Sequence, residues 1–157
     1  MAEVIERLKA DKATQPELDH KMISIRRVTR VVKGGRRFSF SALVAAGDKR
    51  GRLGLGLGKA GDISEAIEKG FRQAKRRMLT LPLTHDHSIL HEVRAKFGSS
   101  RVVIRPAPKR GIVAGSAVRV LLTLAGVRSV SAKVISPSKN KINIARAAMV
   151  ALSSLRP

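Results

Sequence analysis

The chain has 157 residues, with 32 Lys and Arg against 11 Asp and Glu, a net charge of +21 at pH 7, and 43% hydrophobic residues. That much apolar side chain argues against a disordered polycation, and the absence of Cys rules out disulfides and thiolate metal sites. With no Trp or Tyr and only four Phe, the chain lacks the aromatic platforms on which single-stranded bases stack, so a polyanion would be held through its phosphates and its shape.

The charge is unevenly placed. Residues 1–20 hold five acids and three bases, whereas no Asp or Glu follows Glu92 and thirteen Lys and Arg do. No apolar run is long enough to span a bilayer, and the first residues carry neither an apolar signal core nor the acid-free composition of an import presequence. The expected setting is the cytosol or another reducing compartment, with no membrane partner.

Taken in chain order, residues 1–20 read as a polar arm in which Val4, Ile5 and Leu8 form one small stripe ended by Gln15-Pro16. A strand is predicted from Lys21 to Val32, then a hairpin tip at Lys33-Gly34-Gly35-Arg36, where paired glycines supply positive φ, then a strand from Phe38 to Ala46. A turn at Gly47–Gly51 leads to a third strand, Arg52–Gly58, that alternates leucine with glycine. A glycine face marks close approach by a backbone or a ligand. A helix is predicted from Asp62, with capping-box spacing to Glu65, up to Leu81-Pro82. Ile63, Ala66, Ile67, Gly70, Phe71, Ala74 and Met78 recur on its core face.

Residues 83–91 read as a solvated linker between two units. The second unit is predicted as strands over 91–97 and 101–105, a basic loop over 106–111, a helix over 115–125 closed by Gly126, a strand over 127–135, and a final helix capped by Asn140. The whole is α+β: β-β-β-α over 21–82, then β-β-α-β-α over 92–157.

Three motifs invite chemistry. Gly56-x-Gly58-x-x-Gly61 matches a dinucleotide fingerprint but ends an antiparallel meander, and no acid follows at ribose distance. His85, Asp86, His87 and His91 are ligand types in a single short cluster, better read as a solvated linker than as a metal site. Catalytic carboxylates are missing from the second half. No enzyme activity, cofactor, metal or homo-oligomer is expected.

The basic clusters carry the stronger signal. Without interleaved acids they repel one another unless an anion joins them. The residues expected on nucleic-acid phosphates are Arg26, Arg27, Thr29 and Arg30 in the first strand, and Lys33, Gly34, Gly35, Arg36 and Arg37 at the tip. Lys49, Arg50 and Arg52 at the second turn, Gly54, Gly56, Gly58 and Lys59 along the third strand, and Arg105, Lys109 and Arg110 in the second unit complete the set.

Residues 35–70 carry Gly35-Arg36, Phe40, Leu43, Gly47-Asp48, Gly51, Leu53-Gly54-x-Gly56-x-Gly58-Lys59-Ala60, Asp62, Ala66-Ile67 and Gly70. This run resembles the signature of the bacterial-type small-subunit ribosomal protein five family. The likeness continues through Ser100-Arg101, Arg105-Pro106-Ala107, Gly111–Gly115, Leu124–Val127 and Asn143–Ala147, and covers about residues 20–156. It implies a first domain similar to double-stranded-RNA-binding domains and a second with a left-handed β-α-β crossover. It further implies a structural, rRNA-binding role in the small subunit, neighbours four and eight touched through Gly111, Gly115 and Arg119, a messenger path nearby, and support of decoding accuracy. Lys109-Arg110 stand where the family favours small or neutral residues, and the chain ends at Pro157, short of the tail many members carry. These departures bear on contacts, not on the resemblance. A free-standing nucleic-acid chaperone would share the charge but not the signature.

Overall fold

The structure is a computed structural model and describes residues 18–156. The expected arm lies outside the described residues as far as residue 17, and from Asp19 the chain is already strand. β1 (Asp19–Val32), β2 (Gly35–Gly47), β3 (Arg52–Ala60) and β4 (Met78–Thr80) form an antiparallel sheet in that order.

One helix, α1 (Ile63–Arg76), covers one face of this sheet. The predicted helix runs on to Leu81; the observed one ends at Arg76, because Arg77 leaves helical geometry and Met78–Thr80 pair with Gly54–Arg52 instead. Met78 continues the Ala74 spacing and so mimics helix, but an open sheet edge claims it. The unit is therefore β-β-β-α-β. Asp62 takes the extended capping conformation without a side-chain capping bond, and Ile63 is 41% exposed rather than part of the core face.

The interlock of β3 with α1 explains the alternating glycines. Two strand residues advance about 6.8 Å and four helical residues about 6 Å, so glycine at every second strand position meets a small residue at every fourth helical one. A Cβ on Gly54, Gly56 or Gly58 would overlap the carbonyls of Ala74, Gly70 and Ala66 respectively. Gly70 would itself bring a Cβ to 3.0 Å from Val44 Cγ2. A small core of Ala42, Val44, Ala60 and Ala66, flanked by Phe40, Ile67 and Phe71, lies beneath.

The second sheet contains β5 (Val93–Phe97), β6 (Ser100–Pro106), β8 (Val130–Val134) and β7 (Ile112–Val113), in that spatial order. The last pair, β7 with β8, is parallel and the others antiparallel. The two-residue β7, unpredicted because it is so short, makes the unit β-β-β-α-β-α. Helix α2 (Ser116–Ala125) joins β7 to β8. It ends at Gly126, φ +82°, where Gly126 N–H donates to the Thr123 carbonyl (3.1 Å) and Val127 N–H to that of Leu122 (3.0 Å). That double closure is the Schellman pattern, and it delays the predicted strand from Val127 to Val130. Helix α3 (Lys141–Ser153) starts where Asn140 Oδ1 accepts from Ile142 N–H at 3.2 Å.

The two units share one core. Leu43, Ala45 and Leu53, from the face of the first sheet that α1 does not cover, pack with Val118, Leu121, Leu122, Ala148 and Leu152 of α2 and α3. The helices of the second unit thus lie between the two sheets, and Ala42–Gly47 is buried on both faces, as its unbroken run of small and apolar residues requires. The expected solvated linker is half wrong. His85, Asp86, His87 and His91 are exposed, but Ile89 is 1% exposed, Ser88 Oγ donates to the Ser129 carbonyl at 2.6 Å, and Arg128 N–H donates to the His87 carbonyl at 2.7 Å. Among the described residues no group of His, Asp and Glu could hold a metal ion.

Candidate nucleic-acid interface

β3 pairs with β2 only from Phe40 to Gly47, whereas β1 pairs with β2 all the way to Val32–Gly35. Residues 28–39 therefore continue past the sheet as a two-stranded ribbon with nothing packed beneath among the described residues. Val31 is 77% exposed, and Val28 and Phe38 are about half exposed. No acid occurs between Asp19 and Asp48, and Arg26, Arg27, Arg30, Lys33, Arg36 and Arg37 all lie there. The turn is Lys33-Gly34. Gly34 alone has positive φ (+89°) and Gly35 opens β2, so one glycine rather than the expected pair makes the turn. Both glycines have open space around them, leaving the backbone accessible to a phosphate.

The register sorts these cations by face. Arg26 and Lys59 flank Ser41 in one row, and Arg30 stands opposite Arg37, all on the face turned away from α1. Like charges directly opposite each other destabilise a strand pair. Arg27 lies on the other face opposite Phe40, with its guanidinium 4.7 Å from the Phe38 ring centroid. Thr29 lies beside it opposite Phe38, and Arg36 opposite Val31.

At the second turn, Asp48 Oδ1 accepts from Arg50 N–H (2.8 Å) and Arg52 N–H (3.0 Å), holding Lys49 at φ +58°. Lys49 is turned to protein: its N–H donates to the Leu124 carbonyl (2.9 Å) and its Nζ lies 2.5 Å from Asp19. Arg50 and Arg52 stay exposed.

The expectation that Gly54, Gly56 and Gly58 hold a nucleic-acid backbone is overturned. Their faces are filled by α1, which also disposes of a dinucleotide cradle at Gly56–Gly61. Beside them the structure adds a groove, missed by the sequence set, between the β3 edge and α1. Lys59, Lys69, Arg72 and Arg76 line it, and Gln73 Oε1 accepts from Leu57 N–H at 2.6 Å. Lys69 and Arg72 are paired one turn back with Glu65 (3.3 Å) and Glu68 (3.2 Å).

In the second unit Arg105 Nε lies 2.5 Å from Glu92, which also binds Arg94 at 2.6 Å. The Arg94 hydrogen bond, with the charge of Arg105 behind it, holds the Glu92 carboxyl below its ordinary range against a smaller opposing effect of burial. Lys109 (φ +66°) and Arg110 are exposed in the loop before β7. Gly111 (φ +69°) and Gly115 are exposed with open space, and Arg119 Nη2 donates to the Ile112 carbonyl at 2.9 Å, so its guanidinium holds β7 in place.

Comparison with known proteins matches both units of the chain to one family. The family model "Ribosomal protein S5, N-terminal domain" matches residues 18–82, and "Ribosomal protein S5, C-terminal domain" matches residues 95–157. The chain is 48% identical over 143 residues to small ribosomal subunit protein uS5 of Synechococcus elongatus, covering 90% of this chain and 79% of that one. It is 45% identical over 151 residues to uS5 of Nostoc punctiforme, covering 96% and 86%. It is 42% identical over 147 residues to uS5c of Emiliania huxleyi, covering 93% and 92%.

Proposed function

This chain belongs to the ribosomal protein S5 family, and on that premise we propose that the ribbon over residues 28–39 is its principal grip on small-subunit rRNA. Family membership makes it a structural, rRNA-binding component of the small ribosomal subunit, not an enzyme, working in the ribosome of a cytoplasm or an organelle. The observation that carries the ribbon's role is its lack of a core. A two-stranded extension with four uncompensated cations (Arg30, Lys33, Arg36 and Arg37) and an exposed Val31 buries almost nothing of its own. Phosphates would relieve the repulsion between Arg30 and Arg37, and the open Gly34-Gly35 backbone admits them closely. Lys33 and Arg36 lie in the ribbon, and Arg26 and Lys59 extend its surface onto the sheet; Arg50 and Arg52 lie at the opposite end of that sheet, beyond the Gly47–Leu53 pair, and Lys109 and Arg110 form a separate basic loop.

The test is fractionation of a cell lysate. The protein should sediment with small subunits and be released by ribonuclease but not by deoxyribonuclease. Release by deoxyribonuclease alone would make it a nucleoid protein.

The finer placement is also a proposal. Gly111, Gly115 and the β7 strand anchored by Arg119 form an exposed shelf suited to a neighbouring protein, and the family likeness suggests proteins four and eight, with the messenger path and decoding close by. Since the chain has no Cys, a single Gly115→Cys variant reports one position. Cross-linking from it inside small subunits should capture a neighbouring protein, and capture of rRNA alone would reject the shelf as a protein contact.

A further inference from the structure

We infer that the outer face of the β5-β6-β8 sheet is a second RNA-phosphate surface, separate from the ribbon; the inference rests on the RNA-binding reading above. Helices α2 and α3 pack against one face only, burying Val102, Ile104 and Val130. The other face is covered by no element among the described residues. Strand alternation places Arg94 and Lys96 of β5, Arg101, Val103 and Arg105 of β6, and Ser131 and Lys133 of β8 on it. Five of these are cations. Glu92, the one acid beside them among the described residues, is shared between Arg94 and Arg105. Lys96, Arg101 and Lys133 have no ion-pair partner among the described residues.

The register shows how the face is built. Arg94, Val103 and Lys133 form one row across three strands. Val103 is only 7% exposed although no helix covers it, so the long basic side chains on either side shield it. A shallow groove follows this row, with Arg105 and the Ser131 residue along its wall. Arg94 and Lys133 sit two strand spacings apart, about 9.6 Å.

The chemistry favours phosphates over an acidic protein. Protein–protein interface cores are enriched in aromatic side chains and depleted in charged ones, Arg excepted. This face has five cations and no aromatic among the described residues, and its strongly exposed apolar neighbours are Ile135, at 59%, and Val113, opposite Ser131, at 50%. The ribbon extends from the first sheet and this face belongs to the second, with a helix layer between them. Two layers of about 10 Å each separate the sheets, so the protein would span two stretches of RNA.

The test uses full-length protein and transcribed small-subunit rRNA in filter-binding assays over a range of salt. A Lys96→Ala, Arg101→Ala, Lys133→Ala triple variant should lower the slope of log affinity against log salt by about 2–3. Lys96→Arg, Arg101→Lys, Lys133→Arg should keep it. If the triple variant fails a circular-dichroism folding check, each single variant should lower the slope by about 1. Arg30→Ala with Arg37→Ala, at the ribbon, should add independently to the face variants. A wild-type protein without salt-dependent RNA affinity defeats the RNA-binding reading itself. A weakened ribbon variant beside unchanged face variants overturns this inference alone. If the face variants then sediment poorly with small subunits while binding RNA normally, the face takes an acidic protein instead.

Discussion

Lys49 N–H donates to the Leu124 carbonyl at 2.9 Å, joining the second turn of the first unit to the end of α2 in the second. Gly51 N–H repeats the connection to the Ala125 carbonyl at 2.9 Å. Glycine is required on both sides of this junction. A Cβ on Gly47 would overlap the Leu124 carbonyl, and one on Gly126 the Lys49 carbonyl.

Gly126→Ala should therefore destabilise both units together. The left-handed backbone alone costs a non-glycine residue about 1–3 kcal/mol, and the overlap adds to it. Urea unfolding of the wild type, followed by circular dichroism and hydrogen exchange, should give one transition, shifted to lower urea in the variant. Two separate transitions in the wild type would show that the shared core does not couple the units.

Gly58→Ala distinguishes packing from RNA contact. Its Cβ would displace α1 at the Ala66 carbonyl, an overpacking cost of about 1–3 kcal/mol. Gly61→Ala meets open space and should be nearly neutral. Unchanged stability with lost rRNA affinity in Gly58→Ala would return this face to the RNA.

The facing pair Arg30 and Arg37 should behave oppositely in folding and in binding. Replacing both with Ala removes cross-strand repulsion and should stabilise the free protein by about 0.2–1 kcal/mol. The same change should weaken rRNA binding and reduce the salt slope by about 2. A variant both less stable and unchanged in slope would mark the arginines as structural.

Glu92 gives the protein an acid limb. Its folded carboxyl titrates below the ordinary value of 4.5, so the ionised form is favoured by folding. That contribution is complete above the unfolded value and is lost as pH falls through the lowered folded one. Melting temperature should drop below about pH 4.5 less steeply in Glu92→Gln than in the wild type. Parallel curves would mean that the pairing with Arg94 and Arg105 is too exposed to matter.

The N-cap of α3 offers a simpler check. Asn140→Ala removes the bond to Ile142 N–H and should cost about 1 kcal/mol, read from the urea midpoint. No shift would mean that solvent satisfies that amide equally well.

Local rules recovered the elements whose signals are local. The Asn140 cap, the Gly126 closure of α2 and the hairpin centred on Gly34 are set by residues within a turn of one another. The failures required knowledge of distant partners. Met78 looks helical until β3 offers an edge, and Ile112-Val113 is too short to read as a strand until β8 lies beside it. The leucine–glycine alternation announced a close approach, but only Ala66, Gly70 and Ala74 identify what approaches. Among candidate contacts, the ribbon cations were legible from unopposed charge. The outer face of the second sheet was not, although Arg94-x-Lys96 and Arg101-x-Val103-x-Arg105 alternate visibly, because alternation alone does not say which face a helix will leave bare.

The core shared between the units has a consequence for synthesis. The first sheet and α1 are complete once Thr80 has been added, yet Leu43 and Leu53 must wait for α2 and α3, which end at Ser153. At about 5–20 residues per second, that leaves a greasy surface uncovered on the nascent chain for about 4–15 s. For that interval the emerging protein is a client for whatever shields apolar surfaces at the tunnel exit, and its final seventy residues serve as its own belated chaperone.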